Sequence, residues 1–444
     1  MPIEVVFLIG MAVLLFLALK VKVNAFMALL GTALTMGLLA GMPTTEVVSA
    51  IVGGFSGTVK SIGVVIIFGI MLGNYLEAAK GTTRMALDTV KLVGQKRSGL
   101  AMAITGYIVS IPVFSDAGFV ILSPLVKAIA KKTKIPLAIL AVSLSAGLLA
   151  THVFVPPTPG PLAAAGLLGI DIGRAILYGG FAAIFMTIAG WLFAEIYFKN
   201  KPESFYTYRD DAEPQAEAEV NMDDKDLPGS FASIMPLFVP IVLIIMNTTC
   251  SMLFPKGSPI LSVTSFIGDS NIALAIGALL AIALLGKRLG KKVVMKVMDN
   301  TLKDAGPIVF ITAAGGALGQ ILKVSGAGDS LAQMVMHTGL PFILIPFAIS
   351  AVLKVVQGSG TVAVTTAATL CAPIAASLGL DPILIFLASG AGARACCHVN
   401  DSYFWVYTNC MGFDMKTGLK TLSISNVAMS LGGLLATFIA SLWL

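Results

Sequence analysis

The sequence has 444 residues, of which 57% are hydrophobic and only 12% are charged, and its net charge is +6. Soluble domains carry roughly 25% charged residues, so the composition excludes an ordinary soluble protein. Apolar runs recur from one end of the chain to the other, which also excludes a globular domain with a single hydrophobic anchor. Runs of about 20 apolar residues match the thickness of a bilayer core. Because these runs are continuous rather than alternating in polarity, they predict an all-α polytopic membrane protein and disfavour a β-barrel.

Ten membrane spans are predicted, five in each half of the chain. In chain order they cover residues 3–19, 24–41, 62–79, 136–155 and 172–198, and then 232–254, 266–286, 306–322, 382–398 and 418–442. Segments 46–60 and 291–304 are predicted to lie along the membrane interface.

Two further apolar segments are interrupted by polar residues and do not fit as single spans. Segment 99–131 contains the polar stretch Ser115–Gly118, and segment 341–378 contains Gln357–Gly360. Non-helical backbone at membrane depth is tolerated only where it is buried in protein or lines a water-filled cavity. We therefore predict two re-entrant hairpins whose tips lie beside a polar cavity.

The basic residues lie between the apolar segments, and this arrangement predicts an orientation by the positive-inside rule. With both termini outside, the clusters on the cytoplasmic side are Lys20–Lys22, Lys80–Arg97, Lys131–Lys134, Lys199–Lys201, Lys287–Lys296 and Lys416–Lys420. The net positive charge is therefore explained by the orientation of the chain in the membrane and does not indicate a nucleic-acid partner. We expect the chain to lie in the lipid bilayer of the inner (plasma) membrane.

The two halves of the chain are separated by a polar stretch over residues 199–230. This stretch holds nine of the 23 acidic residues and predicts an acidic cytoplasmic linker. The chain thus divides into an N-terminal transmembrane repeat over 1–198, the linker, and a C-terminal transmembrane repeat over 231–444.

An offset of 246 residues aligns the two halves with each other. It superimposes Gly69 on Gly315 and His152 on His398, and the chain contains only 3 histidines. Each copy holds five predicted spans, an odd number, so the second copy enters the membrane from the opposite side. The pattern predicts an inverted repeat of about five spans plus one re-entrant hairpin each, which is typical of secondary transporters.

Both aligned histidines lie where polar residues or prolines interrupt an apolar helix. The first break covers His152–Gly160, with Thr158 between prolines, and the second covers His398–Ser402, with Asn400 and Asp401. Backbone groups freed at such breaks, together with the half-helix ends, can bind a carboxylate or a cation.

The candidate substrate-binding residues come from the two tips and the two breaks. They are Ser115, Asp116, Gly118, His152, Thr158, Gly358, Ser359, Gly360, Thr361, His398, Asn400 and Asp401. Asp116 is an acid at membrane depth and the candidate proton-coupling group, with capping of its own tip as the alternative. Arg394 is a cation inside a predicted span, expected to pair either with a substrate carboxylate or with Asp401.

We expect that the chain is not an enzyme and that it binds no metal or cofactor, because no zinc-type H-E-x-x-H motif or phosphate-binding loop occurs.

Four segments carry a resemblance to a known family. They are IPVFSDAGFVILSPL, VPPTPGPLAAAGLLG, QGSGTVAVTTA and HVNDSYFW. Together they resemble the gluconate permease family of proton symporters, within the ion-transporter superfamily. The resemblance implies a proton-coupled symporter that imports gluconate or a related small sugar acid or hydroxy acid, and it implies a homodimer. Sodium is the alternative to the proton as the coupling ion.

The chain departs from this family pattern at three positions. Asp116 stands where the resemblance leads us to expect Glu, Thr158 where it implies His, and Tyr403 where it implies a small residue. A hydroxy acid shorter than gluconate is therefore an equal expectation. D-serine or another small organic anion is the alternative substrate, and an anion channel is the alternative class of protein.

Overall fold

The chain is described by a computed structural model. It describes residues 2–21, 23–94, 97–209, 227–255, 257–327 and 341–444. Within these ranges the fold is helical, with one isolated β-bridge between Tyr208 and Phe413. The predicted all-α class is confirmed.

The helices of the first half carry both the first hairpin and the first break. They are α1 (Ile3–Phe16, extended by the π-turn Leu17–Val21), α2 (Ala25–Leu39), α3 (Thr44–Ala78), α4 (Gly81–Val93), α5 (Ser98–Val109), α6 (Ser115–Thr133), α7 (Leu137–Phe154), α8 (Pro159–Leu167) and α9 (Ile172–Phe198).

The helices of the second half follow a similar order. They are α10 (Ser230–Leu253), α11 (Pro259–Ile267), α12 (Ser270–Val324), α13 (Leu344–Gln357), α14 (Gly360–Leu378), α15 (Pro382–Gly392), α16 (Ser402–Met411) and α17 (Met415–Ala440, with a π-turn near its start).

Long apolar helices make the chain a multi-pass membrane protein. In the part of the chain that is described, seven helices are long and apolar enough to span: Thr44–Ala78, Leu137–Leu167, Ile172–Phe198, Ser230–Leu253, Ser270–Val324, Gly360–Leu378 and Met415–Ala440. The predicted spans at α1, α2 and α15 are shorter apolar helices. Helix α12 covers two predicted spans and consists of two helical parts that meet at a kink, where Gly290 (φ 75°) has non-helical geometry.

Neither predicted interfacial segment forms a helix separate from the span that follows it, and their location along the membrane interface stays a prediction. Residues 46–60 form the first part of the unbroken helix α3, and residues 291–304 continue α12 beyond its kink. The glycines of the first segment lower helix propensity by about 1 kcal/mol each, but they keep their backbone N–H donors. The backbone hydrogen bonds of α3 therefore continue without interruption into the span.

The helix boundaries repeat at the offset found in the sequence. An offset of 246 residues carries the start of α5 onto the start of α13. It also brings the starts of α6, α7 and α9 close to those of α14, α15 and α17. The order of hairpin, broken helix and long helix is thus common to both halves. The opposed orientation of the two copies stays a prediction.

Helix α3 supports the first tip and the first break through two glycines. A Cβ added at Gly69 would lie 2.9 Å from the carbonyl oxygen of Pro157, and one added at Gly73 would overlap the carbonyl oxygen of Pro112. Only glycine allows so close an approach between a helix and a neighbouring backbone. The long helix α3 therefore holds the irregular segments in place.

The predicted linker is described only at its two ends. Its residues 210–226 lie outside the described part of the chain. The preceding residues pack on the end of α16 and the start of α17. The backbone N–H of Thr207 donates to Thr417 Oγ1 (2.8 Å), and that of Arg209 donates to the Gly412 carbonyl (3.1 Å). The start of the linker is thus part of the folded body.

Candidate functional site

The first hairpin turns earlier than predicted. Helix α5 ends at Val109 and α6 begins at Ser115, so the predicted tip, Ser115–Gly118, is the first turn of a helix. The non-helical residues lie around Pro112, which has no N–H donor and disfavours helical geometry in the residue before it. Asp116 consequently lies in the first turn of α6, where the helix dipole favours a negative charge.

The second hairpin turns at the predicted glycines. Helix α13 ends at Gln357, Gly358 adopts a left-handed conformation (φ 76°), and Ser359 caps α14 by accepting a hydrogen bond from Val362 N (3.3 Å). A side chain at Gly358 would overlap the carbonyl oxygen of Asn400. The tip is therefore fitted against the second break.

The two helix breaks differ in how they end the preceding helix. Helix α7 continues through His152 to Phe154, and α8 begins at Pro159, which needs no N–H partner at a helix start. Thr158 lies between them, and its hydroxyl donates to the carbonyl of Val155 (2.6 Å). This first break falls within the predicted segment.

The second break starts earlier than predicted, because α15 ends at Gly392 and not at residue 398. Two carbonyls near the end of α15 accept hydrogen bonds from hydroxyls of other helices, Ser350 to Ser389 O (2.7 Å) and Ser430 to Ala391 O (2.8 Å). The same two carbonyls also accept from the backbone N–H groups of Ala393 (3.0 Å) and Arg394 (3.2 Å), so the hydroxyls tie the end of α15 to its neighbouring helices. Arg394, predicted inside a span, thus lies in the break.

A cavity of about 480 Å³ lies where the two tips and the second break meet. It is lined by Phe114, Ser115, Asp116, Ala117, His152, Gln357, Gly358, Ser359, Gly360, Thr361, Arg394, Asn400, Asp401, Ser402 and Tyr403. Most of the candidate residues predicted from the sequence therefore lie around one polar cavity. The first and last of them, Ser115 and Asp401, are 286 positions apart in the chain.

Three of the predicted site residues lie outside this cavity. Gly118 faces Leu148, and the Thr158 hydroxyl is used within its own break. His398 Nε2 lies 3.0 Å from the carbonyl oxygen of Val355, so this histidine joins the second break to α13. Each of these contacts is structural and gives no access to the cavity.

Lys354 is a charged residue of the site that the sequence analysis missed. Its side chain is 1% exposed, forms an ion pair with Asp401, and donates to the carbonyl oxygen of Gly358 (2.5 Å). The Cys397 thiol donates to the same carboxylate (2.9 Å). The expected pairing of Arg394 with Asp401 is therefore replaced by pairing with Lys354. A single lysine inside the apolar run of α13 was the signal that could have revealed it.

Arg394 is buried beside the cavity without a hydrogen-bonded partner on two of its nitrogens. Its side chain is 3% exposed, and Nε and Nη1 have no partner among the described residues. Gly360 makes room for the guanidinium, since a Cβ there would overlap Nη2. A buried guanidinium is costly unless it is paired, and a carboxylate is its best partner because it accepts two parallel hydrogen bonds.

Asp116 faces the same cavity, and among the described residues its hydrogen-bond partners are hydroxyls. Ser402 Oγ donates to Asp116 Oδ2 (2.8 Å), and Ser115 Oγ lies 3.4 Å from Oδ1. The cavity is closed on one side by Tyr403, whose hydroxyl donates to Ser145 Oγ (2.9 Å). Within the described ranges, neither Asp116 nor Arg394 forms an ion pair, although the two lie within electrostatic range of each other.

Helix breaks and hairpin tips that meet around a charged cavity within a bundle of membrane helices define a membrane transport protein. The chain belongs to the GntP family of permeases: the family model described as GntP family permease matches residues 1–443. The resemblance found in the four sequence motifs is thereby confirmed.

Known relatives cover the chain from end to end. An "Uncharacterized permease" of Haemophilus influenzae is 38% identical, over 98% of this chain and 91% of the relative. The "High-affinity gluconate transporter" of Escherichia coli is 33% identical over all of both chains. The crystal structure of the Alcanivorax borkumensis YdaH transporter has the same fold, with a TM-score of 0.64 at 16% identity, over 90% of this chain and 89% of that one.

Proposed function

We propose that the chain is a proton-coupled symporter of the inner membrane that imports gluconate or a related small sugar acid or hydroxy acid. The family membership and the full-length gluconate relative support a permease for such acids. The observation that carries the proposal is the buried guanidinium of Arg394, which lines the cavity with two nitrogens unpaired.

The carboxylate of the substrate is proposed to bind Arg394. Lys354 is already paired with Asp401, whereas Arg394 lines the cavity with two nitrogens that have no hydrogen-bond partner among the described residues. A bound carboxylate would supply those nitrogens with charge-assisted hydrogen bonds, which are about twice as strong as neutral ones.

The hydroxyl groups of the substrate are proposed to bind the polar tips. Ser115, Thr361 and Asn400 line the cavity together with the backbone around Gly358. Each hydrogen bond left unmade to a buried group costs about 1–3 kcal/mol, so a site of this composition favours a polyhydroxy acid over an apolar anion of equal size.

Asp116 is proposed to carry the coupling proton. Import of an anion against an inside-negative potential of 100 mV costs about 2.3 kcal/mol per charge, so a cation must enter with it. Asp401 is paired with Lys354, whereas Asp116 faces the cavity and its hydrogen bonds to described residues come from hydroxyls. A proton on Asp116 would therefore break no ion pair of the described part of the chain. Sodium is the alternative coupling ion.

Two alternatives are distinguished by transport assays. Asp116 and Arg394 line the same cavity, an arrangement that also suits a zwitterion such as D-serine. Purified protein in proteoliposomes is tested by counterflow with gluconate, shorter hydroxy acids and D-serine, with and without an imposed pH gradient. Counterflow of an acid together with accumulation driven by the pH gradient is the expected result, and passive flux without counterflow indicates an anion channel.

Three features of the assembly are part of the same proposal. We propose that both termini lie outside, that the two repeats are inverted, and that the protein is a homodimer. The distribution of the basic loops and the odd number of spans in each repeat support the first two, and the family resemblance implies the third. Native mass measurement in detergent tests the dimer.

A further inference from the structure

Three charged side chains of the second repeat lie together at one side of the cavity. Arg394 and Asp401 line the cavity, and the buried Lys354 is paired with Asp401. Two are cations and one is an anion, so the carboxylate can neutralise only one of them. Which cation it neutralises decides which one is left for a ligand. In the structure the paired cation is Lys354.

We propose that Lys354 is a positioning residue that occupies Asp401 and so keeps Arg394 free to bind the substrate carboxylate. The inference rests on the proposed function, because it assigns Arg394 to an anionic ligand. Lys354 itself is 1% exposed and is not among the residues that line the cavity, so it acts through Asp401 and not by touching the ligand.

The surroundings of Asp401 favour this division of roles. Its carboxylate accepts from Lys354 Nζ, from the Cys397 thiol (2.9 Å) and from the backbone N–H of Tyr403 (3.1 Å). Arg394 also lies within electrostatic range of Asp401. Once Lys354 is removed, the nearby guanidinium is the cation left to compensate the buried carboxylate, and a carboxylate is its best partner.

The two cations also suit their separate tasks. An ammonium is a compact point charge with three donors, and Lys354 uses it to reach both Asp401 and the carbonyl of Gly358. A guanidinium presents a rigid fork that matches a carboxylate in two places. If Arg394 paired with Asp401 instead, its guanidinium would bind the internal carboxylate and would not be available to the ligand.

A purely structural role for Lys354 is the competing explanation. Its bond to Gly358 ties the second tip to α13, so its loss could loosen the tip. The two explanations differ in the effect of removing Asp401 as well. Removing Asp401 frees Arg394 again, but it cannot restore the bond to the Gly358 carbonyl.

The test compares Lys354→Met, Asp401→Asn and the double variant as full-length protein in detergent. Gluconate is the probe, and its affinity is measured by calorimetry. We expect Lys354→Met to weaken gluconate binding by roughly tenfold or more, since loss of one partner of a buried charge pair is among the largest single effects at binding sites. We expect the double variant to return to within a few-fold of the unmodified protein. Lys323→Met, at an exposed lysine outside this cavity, is the matched control and should leave the affinity unchanged.

A second measurement reports on Arg394 without any substrate. Phenylglyoxal modifies unpaired guanidinium groups, and peptide mass spectrometry quantifies the product at Arg394. Labelling should be lost in Lys354→Met and present in the unmodified protein, in Asp401→Asn and in the double variant. Asparagine caps a helix as well as aspartate does, so Asp401→Asn should preserve the start of α16. If Lys354→Met does not fold, the labelling of Arg394 in Asp401→Asn still tests the inference.

Each outcome separates the inference from the proposed function. Unchanged labelling and affinity in Lys354→Met overturn the inference, and so does a double variant as impaired as the single one. Loss of Arg394 labelling in Asp401→Asn overturns it as well. If the unmodified protein binds none of the acids tested, the proposed function fails, while the labelling pattern still decides the role of Lys354.

Discussion

Ser402 Oγ donates a hydrogen bond of 2.8 Å to Asp116 Oδ2, which joins two residues 286 positions apart in the chain. Asp116 lies in the first turn of α6, beside the first tip, and Ser402 is the first residue of α16, after the second break. The bond therefore links the hairpin of one repeat with the broken helix of the other. Because its acceptor is the acid proposed to carry the proton, protonation would change a contact between the two repeats.

The first prediction concerns Asp116→Asn. An amide oxygen still accepts the hydrogen bond from Ser402, but the side chain no longer takes up a proton. We expect accumulation driven by a pH gradient to be abolished, while gluconate counterflow persists within a few-fold of the unmodified protein. Both are measured with labelled gluconate in proteoliposomes.

Glu203→Gln serves as the control for Asp116→Asn, because Glu203 is an exposed acid at the start of the linker. Its pH-driven uptake should match that of the unmodified protein. If accumulation driven by pH survives in Asp116→Asn, the proton travels by another route.

The second prediction concerns the guanidinium of Arg394. Arg394→Gln should weaken gluconate binding by about a hundredfold, as expected for loss of a buried charge partner, and Arg394→Lys should be intermediate because an ammonium cannot form the bidentate pair. Isothermal calorimetry of the purified variants gives the dissociation constants.

A matched arginine tests whether the effect is specific to the cavity. Arg174 forms an ion pair with Asp381 (2.7 Å) away from the cavity, so Arg174→Gln removes a paired arginine without touching the site. Its affinity for gluconate should stay within twofold or so of the unmodified value, since contacts outside a site contribute little to binding. Equal losses in the two variants would remove Arg394 from the binding site.

The sequence predicted those features of the fold that depend on local composition. Apolar runs gave the helices, and the glycines around Ser359 marked the second tip correctly. The polar residues Ser115–Gly118 indicate a break, yet they form the first turn of α6, and the turn of the hairpin lies around Pro112, which has no N–H donor.

Features that depend on distant partners could not be predicted. Helix α15 ends at Gly392, where hydroxyls of Ser350 and Ser430, on other helices, bind two of its last carbonyls. Likewise, pairing of Asp401 with Lys354 rather than Arg394 follows from the packing of α13 against the second break, and no spacing along the chain encodes it. The residues of the cavity were recognisable from the sequence, but their charge partners were not.

The third prediction concerns the glycine contact that supports the first tip. Gly73→Ala places a methyl group against the carbonyl oxygen of Pro112, and overpacking of this kind costs about 1–3 kcal/mol. We expect a lower unfolding temperature and reduced gluconate uptake. Gly53→Ala, in the same helix but facing open space, is the matched control and should be neutral or slightly stabilising. A stability of Gly73→Ala equal to that of Gly53→Ala would contradict the close contact between α3 and the tip.

The last prediction concerns the orientation of the chain. With both termini outside, Thr45 at the start of α3 lies on the outer side and Glu203 at the start of the linker lies in the cytoplasm, because this arrangement places the basic loops inside. Both residues are exposed, so each accepts a cysteine without loss of packing. The native cysteines Cys250, Cys371, Cys396, Cys397 and Cys410 are first replaced by serine or alanine, and gluconate uptake is checked in that background. A membrane-impermeant maleimide applied to intact cells should label Thr45→Cys and leave Glu203→Cys unlabelled until the membrane is opened. The reverse pattern would invert the orientation, and labelling of both from the same side would contradict the odd number of spans in the first repeat.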